Sequence, residues 1–355
     1  MTLVIAAGGT GGHVFPALAV AQAWRRKWDS PIYWVGVEGG REEKWVKAEG
    51  IPFYGLPAAG WQPRARWRNF SLLFRLPRAY WAAESLLKRW RPKAIFSTGG
   101  YPGFMPGVWA ALHGRPLYLL ELNARAGRTI RWLSRLAKET FGAFPHTVGV
   151  KARYVGVPVR FQAEDRWRYS VEEAKRSWGL PPDRPLILIL GGSQGSSALN
   201  RAVATCLSPW IAEGASILWQ VGRDSPEFLP ERVQVLPFID DMVRAYIAAD
   251  IVVSRAGGST LGELAWWGKP AVLVPSPYVA EDHQRQNART WASYGACLVA
   301  EEGDTAALQA AVLHLLKDST KRQALAQTAY ALARVHAAEE LATYLHSAIY
   351  GNGVS

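Results

Sequence analysis

Ala6-Ala7-Gly8-Gly9-Thr10-Gly11-Gly12-His13 decides the fold: an apolar run, Thr2–Ala7, empties into glycines, and a helical pattern, Ala17–Lys27, follows. The same order restarts in the second half, where Pro185–Leu190 runs into Gly191-Gly192-Ser193-Gln194-Gly195-Ser196. Glycine clears side chains from backbone that must approach a ligand, and the helix behind it aims unpaired N–H groups at that ligand. Two such junctions predict two Rossmann-like domains, each with its loop at the carboxyl end of a strand, where open α/β sheets bind ligands.

Outward from these loops, short β-rich runs alternate with helical stretches, the pattern of parallel α/β layers. Ile32–Val37, Ala94–Ser97 and Pro116–Leu122 read as further strands of the first half, with helices over Phe70–Trp90 and Gly127–Lys138. Ser216–Val221, Val233–Leu236, Asp250–Ser254 and Ala271–Pro275 read as strands of the second. Gly156-Val157-Pro158-Val159-Arg160, which leads into the charged stretch Glu164–Arg168, is the expected hinge. The reading is an N-terminal domain over 1–157 and a C-terminal domain over 158–335, with parallel sheets facing a central cleft. A closing helical segment, 336–355, has no fixed partner in the sequence, a return to the first domain being the expectation.

A chain of 355 residues that is 49% hydrophobic and 20% charged suits two ordered cores. Cys206 and Cys297 show neither paired nor metal-ligand spacing, so a reducing, cytoplasmic setting is expected. Met1–Ile5 carries no basic leader, so no signal peptide is expected, and no run approaches the roughly 20 apolar residues of a membrane-spanning helix. The net charge of +12 asks for an anionic partner, whether nucleic acid, lipid or phosphorylated substrate. Residues 61–91 narrow the choice: Arg64, Arg66, Arg68, Arg75, Arg78, Lys88, Arg89 and Arg91 oppose the single acid Glu84, interleaved with Trp61, Trp67, Phe70, Phe74, Trp81 and Trp90. Rings at headgroup depth with cations above them suit an anionic membrane surface, which is the expected partner here, with no nucleic acid, although single-stranded nucleic acid uses a similar mixture. The plainer alternative is a helix burying Leu72, Leu76, Leu86 and Leu87 under a solvated basic face.

The first glycine loop is neither G-x-G-x-x-G nor a P-loop. His13 at the head of its helix is either a structural helix-start histidine or a general base, the imidazole being the side chain suited to that work near neutral pH. In the second loop Ser193 and Gln194 are candidate hydrogen-bond donors to a phosphate. Ser254-Arg255-Ala256-Gly257-Gly258-Ser259-Thr260-Leu261-Gly262-Glu263 leaves a strand for a helix, and Glu263 either completes a capping box with Thr260 or accepts from ribose hydroxyls. Glu281-Asp282-His283-Gln284-Arg285-Gln286-Asn287 is polar enough to line a sugar. Asp240-Asp241 reads as a helix cap and not as a metal motif, and no metal or cofactor is expected.

Taken in order, Gly8–His13, Thr98-Gly99-Gly100-Tyr101, Gly191–Gly195, Ser254–Glu263 and Glu281–Asn287 resemble the MurG family of peptidoglycan N-acetylglucosaminyltransferases. The resemblance implies a two-domain GT-B fold, peripheral at the cytoplasmic face of the membrane. It implies metal-free, inverting transfer of N-acetylglucosamine from UDP-N-acetylglucosamine to lipid I, giving lipid II. By position, the resemblance puts Ser193 and Gln194 by the donor diphosphate or sugar, Arg160 near the nucleotide, and backbone at Ile239 on the uracil. Glu263 would take the ribose, with Thr260 beside it, and His283 with Gln284 the sugar hydroxyls. Loops 8–13 and 99–103 would hold the acceptor diphosphate through Gly99, Gly100 and Tyr101, with Thr10, Gly11 and Gly12 also counted as donor contacts. His13 and Glu121 would be catalytic, with Glu121 and Asn123 positioning the acceptor. The chain departs from the family at Leu120, Leu122 and Val157, and at Pro102-Gly103-Phe104, so the acceptor side deviates more than the donor side. A diacylglycerol glycosyltransferase, a UDP-N-acetylglucosamine epimerase and a non-catalytic UDP-sugar-binding membrane protein are the alternatives.

Overall fold

The computed structural model describes residues 2–57, 72–192, 195–224 and 230–351. Contacts divide the chain into two compact units, one running to Arg160 and resuming at Arg334, the other spanning Phe161–Ala333.

In the first unit, strands β1 (Leu3–Ala6), β2 (Ile32–Val37), β3 (Phe53–Leu56), β4 (Ala94–Ser97), β5 (Leu117–Glu121), β6 (Glu139–Gly142) and β7 (Arg153–Tyr154) form one parallel sheet. Its order is β3-β2-β1-β4-β5-β6-β7. Helices α1 (Gly11–Lys27), α2 (Glu42–Ala48), α3 (Leu72–Trp90), α4 (Gly100–Leu112) and α5 (Arg128–Leu133) connect the strands. Every residue of β1, β4 and β5 is buried, which is why these strands read as continuous apolar runs rather than as alternation.

The second unit repeats the scheme. Strands β8 (Leu186–Leu190), β9 (Ser216–Gln220), β10 (Val233–Leu236), β11 (Ile251–Ser254), β12 (Ala271–Leu273) and β13 (Leu298–Val299) lie parallel in the order β10-β9-β8-β11-β12-β13. Helices α6 (Val171–Ser177), α7 (Ser197–Ala212), α8 (Met242–Ala248), α9 (Gly258–Trp267), α10 (His283–Ser293), α11 (Thr305–Lys317) and α12 (Ser319–Ala331) complete it. In each sheet the order reverses beside the first strand, between β1 and β4 and between β8 and β11. Such a switch point opens a crevice at the carboxyl ends of the two strands. Both glycine loops leave the sheet there.

The closing helix α13 (Ala337–Tyr350) packs on α1. Arg26 pairs with Glu339 at 2.8 Å, Lys27 donates to Thr343 at 3.2 Å, and the Trp28 and His346 rings stack at 4.1 Å. Tyr344 meets Tyr118 and Phe141 edge-on.

Four strands escape the sequence reading. β6 is Glu-Thr-Phe-Gly, with no apolar run, while β7 and β13 are two residues each. β3 is short, at a sheet edge, with only Leu56 buried. Helix α1 begins at Gly11, six residues before the expected Ala17. Burial of Gly11, Val14 and Pro16 outweighs the weak helix propensity of glycine and proline. Helix α5 stops at Leu133, short of the expected Lys138.

Candidate active site

At the switch point of the first unit, His13 is the third residue of α1. Its Nδ1 lies 2.8 Å from the carbonyl oxygen of Thr98, and the Thr98 hydroxyl donates back to the His13 carbonyl at 2.9 Å. A carbonyl only accepts, so Nδ1 carries the proton and Nε2 keeps its lone pair. Burial pulls the His13 pKa below its ordinary value, against the opposing Thr98 bond, so the ring is neutral at pH 7. A neutral imidazole with its lone pair on Nε2 is the state a general base requires.

Gly99 and Gly100 both take positive φ, 82° and 70°. A Cβ on Gly100 would stand 3.4 Å from the Gly8 carbonyl and 3.8 Å from the His13 ring, so the loops after β1 and β4 touch. Glu42, buried at the start of α2, accepts from Gly9 N–H at 3.2 Å and Val37 N–H at 2.9 Å. Neither Thr10 nor Gly99 caps its helix with a side chain. Ser170, Asp241, Asp304 and Asp318 do so at α6, α8, α11 and α12. The starts of α1 and α4, like those of α5, α9 and α10, thus carry no side-chain cap on their first turns. The Tyr101 hydroxyl is buried there without a protein partner.

Glu121, at the end of β5, is consumed locally. Oε1 accepts from the Asn123 backbone and side-chain nitrogens, each at 2.9 Å, and Oε2 from Gly127 N–H at 2.9 Å. Burial raises its pKa, while these donors pull the other way. Such a carboxylate shapes the 121–127 loop. Arg160 lies with its guanidinium 4.4 Å over the Phe15 ring of α1.

In the second unit, Ser193 and Gln194 lie outside the described residues. Their loop is fixed on both sides: Gly192 and Gly195 take φ of 87° and 75°, and a Cβ on Gly195 would come within 2.5 Å of the Val221 carbonyl. Ser196 caps α7 and also accepts from buried Arg255, which pairs with Glu302. Thr260 is the third residue of α9, not its cap, so the capping-box reading of Glu263 fails; Glu263 accepts from buried Tyr246 at 2.9 Å. Burial, the Glu263 charge and the bond to it hold the Tyr246 hydroxyl well above its ordinary pKa. Ile239 N–H donates to Gln220 at 2.9 Å. His283 opens α10, and Gln284 accepts from Ser276 N–H at 2.8 Å. Before them Glu281 and Asp282 take φ of 56° and 53°, strain of the kind that gathers at binding sites. Asn287 ties α10 to the Ala256 carbonyl at 3.0 Å, so the loops after β11 and β12 are joined. Asp241 caps α8, accepting from Arg244 N–H, so the pair supplies the expected cap but no first-turn acid.

The structure thus gathers His13, Thr10–Gly12 and Gly99–Tyr101 in one unit, and Thr260 and Glu263 of α9 with His283 and Gln284 of α10 in the other. Sequence reasoning gave no role to Glu42, Thr98, Gln220 or Tyr246, whose contacts join positions far apart in the chain.

Of the basic segment 61–91, positions 61–71 lie outside the described residues. Further on, Arg78, Trp81, Lys88 and Arg89 are exposed, Trp81 by 68%. Leu87 is buried and Trp90 stacks on Tyr33 at 4.5 Å, so the helix has both a core face and an outer face. α3 packs on α4 and α4 on α5. There Leu112, Trp132 and Leu136 are exposed, and Arg128, Arg131, Trp132 and Arg135 line a groove of about 320 Å³.

Comparison with known proteins gives these arrangements a context. Residues 3–142 match the glycosyltransferase family 28 N-terminal domain and residues 186–341 the glycosyltransferase family 28 C-terminal domain. Proteins named UDP-N-acetylglucosamine–N-acetylmuramyl-(pentapeptide) pyrophosphoryl-undecaprenol N-acetylglucosamine transferase are similar over nearly their whole length. The Thermus thermophilus protein is 40% identical, with 97% of this chain and 100% of that one covered. The Halorhodospira halophila protein is 36% identical, with 99% of each covered. The crystal structure of Acinetobacter baumannii MurG superposes with a TM-score of 0.76 at 29% identity, covering 98% of this chain and 99% of the other. The Staphylococcus aureus MnaA–UDP co-structure (TM-score 0.71, 11% identity) shares the fold alone; it covers 100% of this chain and 99% of its own.

Proposed function

The chain belongs to glycosyltransferase family 28, and from that premise we propose that it transfers N-acetylglucosamine from UDP-N-acetylglucosamine to N-acetylmuramyl-(pentapeptide) pyrophosphoryl-undecaprenol. The observation that carries the chemistry is His13: neutral, held by Thr98 through Nδ1, and set between two helix starts that no side chain caps.

The acceptor hydroxyl attacks C1 of the sugar, the C1–O bond to UDP breaks with inversion, and the hydroxyl proton passes to Nε2 of His13. Loops 8–13 and 99–103 hold the acceptor diphosphate. Because Glu42 draws the Gly9 N–H inward, that anion is met by the first turns of α1 and α4. Glu121 and Asn123 act by shaping the loop beside the acceptor. In the second unit the 191–196 loop takes the donor diphosphate, with Ser193 and Gln194. Glu263 takes the ribose, the carbonyl side of Ile239 the uracil, and His283 and Gln284 the sugar. Helix starts and loop amides stabilise charge on the leaving diphosphate. Arg160 is the cation taken to lie near the nucleotide.

The enzyme works as a peripheral protein at the cytoplasmic membrane face. Support comes from the exposed Trp81, Leu112, Trp132 and Leu136 beside the basic side chains of α3 and α5. Among the described residues no helix is long and apolar enough to cross a membrane. The shared name of the full-length relatives speaks against diacylglycerol as acceptor. The test is UDP release from UDP-N-acetylglucosamine with a lipid I analogue, run beside diacylglycerol. Release that requires the lipid I analogue is expected; donor binding without release on either acceptor favours the binding-protein alternative.

A further inference from the structure

Gln220, the last residue of β9, is 5% exposed and carries no charge. Its side chain is used at both ends. Oε1 accepts from Ile239 N–H at 2.9 Å, and Nε2 donates to the Gly192 carbonyl at 2.9 Å. A backbone N–H only donates and a carbonyl only accepts, so only one orientation of the amide serves both. Gly192 lies in the loop after β8, and its carbonyl also takes the Gly195 N–H at 3.0 Å. Ile239 lies between β10 and α8 and is 1% exposed. Outside this side chain the two loops meet the end of β9 separately: Val221 N–H reaches Leu236, and Gly195 abuts Gly222.

We propose that Gln220 is a positioning residue that sets the spacing between the diphosphate and base subsites of the donor. This rests on the reading of the 191–196 loop and Ile239 as those subsites. A ligand spanning two subsites gains from each only if their separation matches its length, as with any linked pair of binding groups. Gln220 touches no reacting atom. Its loss therefore penalises UDP, which spans the two, more than uridine or pyrophosphate, which occupy one.

The experiment measures binding of UDP, uridine and pyrophosphate, with donor KM and kcat, for the wild type, Gln220→Leu and Gln220→Glu. Gln220→Leu is expected to weaken UDP by about 10-fold, the scale of one to two buried hydrogen bonds, and uridine by clearly less. Donor KM should rise in step, with kcat at saturating donor within about 2-fold. Gln220→Glu keeps the acceptor for Ile239 N–H and loses the donor to Gly192. It covers the case in which the leucine variant does not fold, and it should retain uridine binding while losing the extra affinity that the diphosphate confers. Equal weakening of UDP and uridine, or UDP affinity unchanged beside a lowered Tm, overturns the coupling role. Glu263→Ala is the control for the underlying reading: if UDP binding ignores it, the donor site is elsewhere and both inferences fall.

Discussion

The Gly9 N–H runs to the carboxylate of Glu42, whereas the Gly192 carbonyl takes the carboxamide of Gln220. In sequence the two strand–glycine–helix junctions are near copies, yet one is anchored by a buried acid and the other by a neutral amide. They differ in crowding too. A Cβ on Gly9 would meet nothing within 4 Å, while one on Gly195 would press into the backbone of Val221 and Gly222. Glu42 takes the Gly9 N–H out of use, so an anion at the first loop is left to the first turns of α1 and α4, whereas the second loop is packed against the end of β9. The first junction is thus the open one and the second the crowded one.

Substitutions on either side break or sharpen that contrast, and the largest effect belongs to the base. His13→Ala should lower turnover by ~10²–10⁴-fold while leaving UDP affinity intact; a loss below the lower end of that range removes His13 from the role. Next comes Glu263, the proposed ribose contact. Glu263→Ala should weaken UDP by about 10- to 100-fold, the scale of hydrogen bonds to a charged group, with acceptor KM unmoved in steady-state assays. The crowding difference follows. Gly195→Ala should cost more UDP affinity and a larger fall in Tm than Gly9→Ala, which carries only the strain of positive φ, ~1–2 kcal/mol. Equal effects at the two glycines would erase the distinction between the loops.

The smallest effect is in pH. Burial lowers the His13 pKa, so its base form survives below the usual 6.5, and the acid limb of kcat/KM should fall below that value. For stability the sign follows from proton counting: between the lowered folded pKa and 6.5 the unfolded chain binds more protons. Stability from this group is therefore present above 6.5 and declines as pH falls through that window. An acid limb above 6.5 that His13→Ala abolishes would contradict the buried, neutral ring.

The fold was legible because strands buried on both faces, β1, β4, β5, β8, β9, β11 and β12, announce themselves as apolar runs, and the less buried β2 and β10 still show by their β-branched and aromatic residues. β6, β7 and β13 are too short or too polar to do so. Glycine loops and their order also show in the sequence, and with them His13 and the Glu263 helix. What stays hidden is the support: Thr98 meets His13 and Gln220 meets Ile239 only once strands distant in the chain lie side by side. The Glu121 network is hidden for another reason, since nothing in an acidic residue's position reveals that its own loop supplies three donors. Glu263 shows the opposite failure, in which a local pattern, Thr260 to Glu263, suggests a cap that the helix boundary forbids.

The first unit is interrupted once, between Arg160 and Arg334, and closed by α13 on α1. At the interruption the two passages of chain lie together: a Cβ on Gly156 would stand 2.5 Å from that of Arg334, whose guanidinium lies 5.6 Å over Tyr154. Residues 161–333 are in that sense a cassette, entered and left at one doorway. A graft exchanging only that segment with a relative's would keep the host's α1–α13 packing and, on the proposed placing of the donor site, bring a foreign nucleotide-sugar preference as a single continuous insert.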